Sequence, residues 1–280
     1  VNSKLLGHIK TLDRLVALVR KGNISHAYLF TGPAGIGKRT TAVQFATVVE
    51  HTKKDIDRPL SELVLVSPDE DGKIGIDAVR RFSEQLLERP QQSSYRIGIL
   101  NGAHRMTAEA QNALLKLAEE PPEHAILIVI AHDPETLYDT LRSRLQEIAF
   151  APVPAADIVD WLREAHGFTK KDAETYARQA GGRPGLALRL ATDEKLHAIQ
   201  ETAQSLLTAA PRERTALIKQ IVEEETPLAN ILDALIREIA YTVKNEKHFG
   251  FWHALLDLRR TAERGGLNTR LQLEALFMQQ

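Results

Sequence analysis

The run Gly32-Pro33-Ala34-Gly35-Ile36-Gly37-Lys38 has the residue types and spacing of a loop that cradles phosphate. Gly32, Gly35 and Gly37 would let the backbone turn tightly and aim its N–H groups at phosphate oxygens. Lys38 would stand near the outer phosphates, at a helix N-terminus that already favours anions. The next position breaks the pattern: Ser or Thr there would ligate Mg²⁺, and this chain has Arg39. A guanidinium ligates no cation. Thr40 follows, but one residue of helix turns a side chain by about 100°, which carries its hydroxyl off the site. Two readings of the loop stay open. Gly32, Gly35, Gly37, Lys38, Arg39 and Thr40 form a site that binds ATP or ADP without efficient hydrolysis, or they are a vestige that holds sulfate, phosphate or nothing.

The second place to look for chemistry is the strand-like run Arg96-Ile97-Gly98-Ile99-Leu100, followed by Asn101, Gly102, Ala103 and His104. Phosphoryl transfer needs charge compensation by a held metal ion and an oriented water. Asn101 carries no charge, Gly102 can do no acid–base chemistry, and His104 reads as a surface or capping histidine. With the hydroxyl and both acids missing, the chain is expected to have no competent ATPase activity of its own.

These residues need a scaffold, and the hydrophobic pattern supplies one. Ala27–Phe30 reads as a buried strand running straight into the glycine loop, and 39–50 as the helix after it. Leu63–Val66, Tyr95–Leu100, Ala125–Ile130 and Leu145–Phe150 are further strands. Helical periodicity covers Leu5–Arg20, Ile76–Glu88, Thr107 (a cap) to Glu119 or Glu120, and Leu137–Arg142. Strands alternating with helices predict an α/β domain with a mostly parallel sheet covered on both faces, placed at 1–151. Ala151-Pro152-Val153-Pro154 reads as a hinge or linker. Beyond it only helices are predicted: a small unit at 152–194 and a larger one at 195–280.

Composition narrows the class. An apolar share of 43 % with 26 % charged residues is that of a soluble globular chain, and a formal net charge of -1 argues against a globally basic nucleic-acid binder. There is no cysteine, so disulfides, thiolate zinc sites and cysteine nucleophiles are excluded. That suits a cytoplasmic setting, as does the polar start of the chain, which has no secretory pattern. The apolar run Ala125–Ala131 is far too short to span a bilayer, so no membrane role is expected.

Longer motifs carry a resemblance. Ala103-His104-Arg105-Met106-Thr107, Gln111-Asn112-Ala113-Leu114-Leu115-Lys116 and Glu119-Glu120-Pro121-Pro122 resemble the clamp-loader branch of the AAA+ ATPases. Thr140-Leu141-Arg142-Ser143-Arg144 resembles that family's Ser-Arg-Cys motif, with Leu145 in place of the cysteine. Gly7-His8 and Ser25-His26-Ala27-Tyr28-Leu29-Phe30 fit the same family. The likeness is strong over about 1–150, looser beyond, and nearest to the delta-prime type of bacterial clamp-loader subunit. It implies a AAA+ P-loop domain, a helical lid and an all-helical C-terminal collar that builds a five-subunit ring with motor subunits and a clamp-opening subunit. The ring belongs to a DNA polymerase holoenzyme and meets the sliding clamp and primer–template DNA. By resemblance the chain would be a stator that completes the ring. Arg144 would then be an arginine finger acting on the neighbouring subunit's nucleotide, with Ser143 and Arg142 shaping its loop. The alternatives for Arg144 are a surface arginine or an ion pair within its own domain. For the whole chain they are a hydrolysing motor subunit or a nucleotide-independent adaptor.

The family's bacterial members usually carry a four-cysteine zinc module after the first helix, where this chain has a short charged stretch at about 51–58, so no zinc is expected. Near Gly185, where motor subunits place a sensing arginine, Arg183 stands two residues early. Asp133 falls near the family's first sensor.

Overall fold

The computed structural model describes residues 6–51, 59–242, 249–262 and 267–278, without the side chains of Tyr241, Thr242 and Phe249. The predicted helix start at Leu5 and nearly all of the stretch at 51–58 lie outside the described residues.

Five strands form one sheet: β1 (Ala27–Thr31), β2 (Leu63–Val66), β3 (Arg96–Asn101), β4 (Ala125–Ile130) and β5 (Gln146–Ala149). Their order is β2-β3-β4-β1-β5, and every pairing is parallel. Parallel neighbours need crossover connections, which is why helices separate the strands in sequence. β4 lies at the centre and is buried along its whole length. Its alternate residues serve two cores. Ala125, Leu127 and Val129 pack with α3 (Ile76–Leu87), α4 (Ala108–Glu119) and α5 (Asp139–Arg142). Ile126, Ile128 and Ile130 pack with α1 (Ile9–Arg20) and α2 (Lys38–Glu50). A strand buried on both faces has to be apolar at every position, as this one is.

Boundaries follow local chemistry. Gly22 closes α1 with a left-handed turn, its N–H bonded to the Val19 carbonyl and that of Asn23 to Leu18. Thr107 caps α4, its hydroxyl accepting from the Ala110 N–H at 3.2 Å. α5 starts two residues later than the apolar pattern predicts. Pro134–Thr136 form a 3₁₀ turn instead, capped by the Asp133 carboxylate accepting from the Glu135 N–H at 3.0 Å. β3 likewise runs one residue further than the apolar run, because Asn101 still pairs with Ile130.

Glu50 ends α2 and ties it to the residues just before β2. Its carboxylate accepts from the Ser61 N–H at 2.6 Å, the Ser61 hydroxyl at 2.9 Å and the Glu62 N–H at 3.0 Å. Burial opposes ionisation, but these three bonds outweigh it and hold the carboxyl below its ordinary range.

The chain divides into two compact units, 1–167 with 182–185, and 168–181 with 186–280. The first holds the sheet and α6 (Ala155–His166). Val153, in the predicted linker, is buried in it, and its N–H donates to the Gly182 carbonyl at 2.9 Å. α7 (Lys170–Ala180) and most of α8 (Pro184–Thr192) belong to the second unit with α9 (Glu194–Thr208), α10 (Pro211–Glu223), α11 (Leu228–Thr242), α12 (Phe249–Ala262) and α13 (Thr269–Phe277). Its core includes Leu232, Leu235, Leu255 and Leu273. Phe251 meets Phe277 at 5.4 Å between ring centres and is 4 % exposed, so this aromatic is core rather than surface.

Candidate functional site

The glycine loop leaves the C-terminal end of β1, the edge of a parallel sheet where ligands bind in α/β proteins. Gly32 has φ +129°, and a side chain there would come within 2.8 Å of the Phe150 carbonyl, so only glycine fits. Below the loop, buried His8 sits with Nε2 3.0 Å from the Ile36 carbonyl and its ring 4.6 Å from Phe150. Burial holds the His8 imidazole below its usual range, so the neutral ring donates Nε2–H to that carbonyl. From above, the Gly185 N–H donates to the Gly35 carbonyl at 2.8 Å, and a Cβ at Gly185 would lie 3.0 Å from that oxygen. The position where the resemblance looks for a sensing arginine is therefore a glycine pressed against the loop.

Lys38 is 4 % exposed and folds back over the loop, its ammonium donating to the Gly32 carbonyl and, at 2.9 Å, to that of Pro33. Burial pushes its pKa down to about 8. With these carbonyls occupied, the amide hydrogens of Gly35, Gly37 and Lys38 meet no protein acceptor among the described residues. Those donors fit phosphate oxygens. The donor set around them does not fit Mg²⁺. Arg39 and Thr40 are exposed on the first turn of α2, and the Thr41 hydroxyl donates to the Gly37 carbonyl at 3.0 Å. Asn101 Nδ2 lies 3.5 Å from Ser67 Oγ, and Gly102 follows with φ +90°. Among the described residues, no group of three or more His, Cys, Asp or Glu side chains could hold a metal ion.

One neighbour of the loop escaped the sequence reading. The His132 ring, just past β4, stacks on His104 at 4.2 Å. Desolvation is the largest influence on it, followed by the charges of His104, Lys38 and Arg105, and together they push its pKa down to about 4. The residue is exposed at the surface, yet partial desolvation and this surrounding charge leave it neutral at pH 7. Asp133, the residue singled out beside it, is occupied as a helix cap. Chain position alone could not tell the two apart. His8 was visible as part of a motif, but only the packing shows it bracing the loop.

Arg144 follows α5 at the other end of the domain's chain. Gln111, 6 % exposed on α4, fixes the approach to it: its amide nitrogen donates to the Thr136 carbonyl at 3.3 Å and its oxygen accepts from the Tyr138 N–H at 2.8 Å. α5 then turns through Ser143 to Arg144, whose side chain is 35 % exposed. Its Nη2 lies 2.6 Å from a Glu119 oxygen, and its Nη1 donates to the Thr140 carbonyl. In the single chain Arg144 therefore has an ion pair within its own domain. Arg142 sits 4.0 Å from Asp139, at the limit of an ion pair. The loop residues Gly32 to Thr40 are gathered at one site, and Arg144 takes part in none of their hydrogen bonds.

Known proteins resemble this chain. The gamma/tau subunit of DNA polymerase III from Mycobacterium tuberculosis is 34 % identical over 201 residues, 65 % of this chain and 35 % of that protein. The delta' subunit of DNA polymerase III from Escherichia coli is 33 % identical over 171 residues, 59 % of this chain and 51 % of that one. The chain thus spans about a third to a half of the length of these relatives. Among solved structures, a DNA polymerase III gamma subunit-related protein from Thermotoga maritima superposes with a TM-score of 0.65 at 22 % identity, covering 95 % of this chain and 97 % of that one, which is a likeness of fold. The family model described as DNA polymerase III, delta subunit, matches residues 7–154, more than half of the chain. The sheet, the glycine loop and the Ser-Arg turn all lie within that match, and the chain belongs to this family, in the clamp-loader branch of the AAA+ proteins.

Proposed function

We propose that this chain is a stator subunit of a DNA polymerase III clamp loader, which completes the ring and lends Arg144 to the nucleotide of the adjoining motor subunit. The partners in this reading are the motor subunits and a clamp-opening subunit in a five-membered ring. The sliding clamp and primer–template DNA are met through that complex, in the cytoplasm. The chain supplies three segments: the P-loop domain at 1–151, a lid at 152–194 and a collar at 195–280. Its own loop offers backbone amides and Lys38 to ATP or ADP and does not hydrolyse it.

One contrast carries the reading. Arg144 is a half-exposed guanidinium at the end of a short, braced helix, while the positions of the chain's own cleft that would hold a metal ion carry Arg39, Asn101 and Gly102, none of them a hydroxyl or an acid. Guanidinium is permanently charged and matches phosphoryl oxygens, so it can stabilise transfer at a site it does not itself build. The test is reconstitution with motor and clamp-opening subunits, comparing wild type with Arg144→Ala. Assembly should be intact and DNA-stimulated hydrolysis reduced; unchanged hydrolysis would sink the finger role.

A motor-subunit reading draws on the gamma/tau match, which covers more of this chain than the delta' match does. Arg39, Asn101 and Gly102 oppose it. Mg²⁺-dependent turnover by the isolated chain, lost in Lys38→Ala, would establish it instead.

A further inference from the structure

We propose that Glu119 is a positioning residue for Arg144: it holds the guanidinium within its own domain until a neighbouring triphosphate displaces it. The proposal rests on the finger reading above and adds to it what the finger does when no nucleotide faces it.

Glu119 is the last residue of α4. A carboxylate there lies at the negative end of the helix dipole, which disfavours it. Its own helix does not explain its place, but Arg144 does, with Nη2 2.6 Å from Oε1. Glu120 beside it is exposed and makes no ion pair among the described residues, so the contact belongs to one position and not to a diffuse acidic surface. Pro121 and Pro122 follow at once. They restrict the backbone after the helix, so the carboxylate stays close to where α4 puts it. On the other side Arg144 Nη1 donates to the Thr140 carbonyl of α5. The guanidinium is therefore held between the ends of two helices that pack against the same core.

The hold is built to be exchanged. The two side chains are 35 % and 46 % exposed, and ion pairs that open to water are weak. A triphosphate carries several negative charges and accepts bidentate hydrogen bonds from guanidinium, so it outcompetes one carboxylate. Before assembly the same carboxylate neutralises the arginine and keeps it from other anions.

The experiment uses the reconstituted complex, ATP and primer–template DNA. It compares wild type, Glu119→Gln, Glu119→Asp, Arg144→Ala and the Glu119→Gln/Arg144→Ala double variant. Glu119→Gln keeps the side chain's shape and removes its charge. It should raise hydrolysis without DNA by about two- to fivefold, the range a weak surface pair can impose. The DNA concentration for half-maximal stimulation should fall, and the saturated rate should stay the same. A merely structural glutamate would not separate these readouts. Glu119→Asp, which keeps the charge, should return the DNA-free rate towards wild type. The double variant should match Arg144→Ala alone. If Arg144→Ala slows hydrolysis but Glu119→Gln leaves the DNA-free rate unchanged or lowers it, the holding role is wrong and the finger stands. If Arg144→Ala changes nothing, the finger reading fails and takes this proposal with it.

Discussion

The glycine loop and the Arg144 turn belong to one domain, and both present a cation beside helix ends, yet they treat that cation in opposite ways. Lys38 is almost wholly buried, turned onto the carbonyls of its own loop, with a pKa lowered by desolvation. Arg144 is half-exposed and tied to a carboxylate that water also reaches. Around Lys38 the loop is fixed from several sides, by His8, Phe150 and Gly185. Around Arg144 only the approach is fixed, through Gln111, while the tip is left with an exchangeable partner. Bracing a loop and leaving a side chain free to swap partners are different tasks. The contrast is between a loop braced around a buried cation and a side chain whose carboxylate partner water can also reach.

The sharpest way to break this contrast is to remove each cation in turn within an assembled loader. Arg144→Ala should slow hydrolysis at the adjoining site by on the order of 10³-fold, the scale of an arginine finger. Lys38→Ala in the same assembly should leave that rate within about twofold, as read by single-turnover hydrolysis. The reverse ranking would make the chain a motor. Next in size is Gln111→Leu, which strips the bonds to Thr136 and Tyr138 and lets the approach to α5 drift. Displacements of about 1 Å cost catalysis up to roughly 10²-fold, so the adjoining site should lose about tenfold, with ring assembly unchanged by gel filtration.

A third test asks whether the cleft lacks only side chains or also the shape for them. Gly102 has φ +90°, and its Cβ would lie 3.2 Å from Pro68 Cγ. Gly102→Glu should therefore lower stability by about 1–2 kcal/mol in denaturant melts. Adding Arg39→Thr and Asn101→Asp should still give no turnover; measurable ATPase would show the frame to be intact.

The smallest effect concerns Lys38 itself. Its pKa falls from 10.5 to about 8 on folding, so the folded chain bears a desolvation penalty below pH 8. Between pH 8 and 10.5 the unfolded chain binds more protons, and the penalty fades as pH rises. Lys38→Met removes the charge but also the two hydrogen bonds to Gly32 and Pro33. It should stabilise the chain by about 1 kcal/mol at pH 7, and as the penalty fades above pH 8 the gain should vanish and turn into a loss before pH 10.5, since only the missing hydrogen bonds then count. A gain independent of pH would mean the ammonium is adequately solvated by its carbonyls.

Much of the frame can be read along the chain. The unbroken apolar run Ala125–Ile130 marks a strand buried on both faces, the glycine spacing marks the loop, and Thr107 marks the start of α4. Element boundaries drift where a polar residue continues a ladder, as Asn101 does, or where an acid caps a turn, as Asp133 does. The site is less legible. His132 and Asp133 are neighbours in sequence, and only the direction each side chain takes past β4 makes one a neighbour of Lys38 and the other a cap.

By itself the sequence determined which elements form, since helix and strand periods and caps are set by residues a few positions apart. It also determined that the cleft lacks its hydroxyl and acids, because Arg39, Asn101 and Gly102 are matters of composition. Only the tertiary structure decided that β1 lies between β4 and β5, that Lys38 turns inward over its loop, and that Arg144 meets Glu119. Those outcomes depend on pairings between residues far apart in the chain, which packing of the two cores brings together and local pattern does not encode.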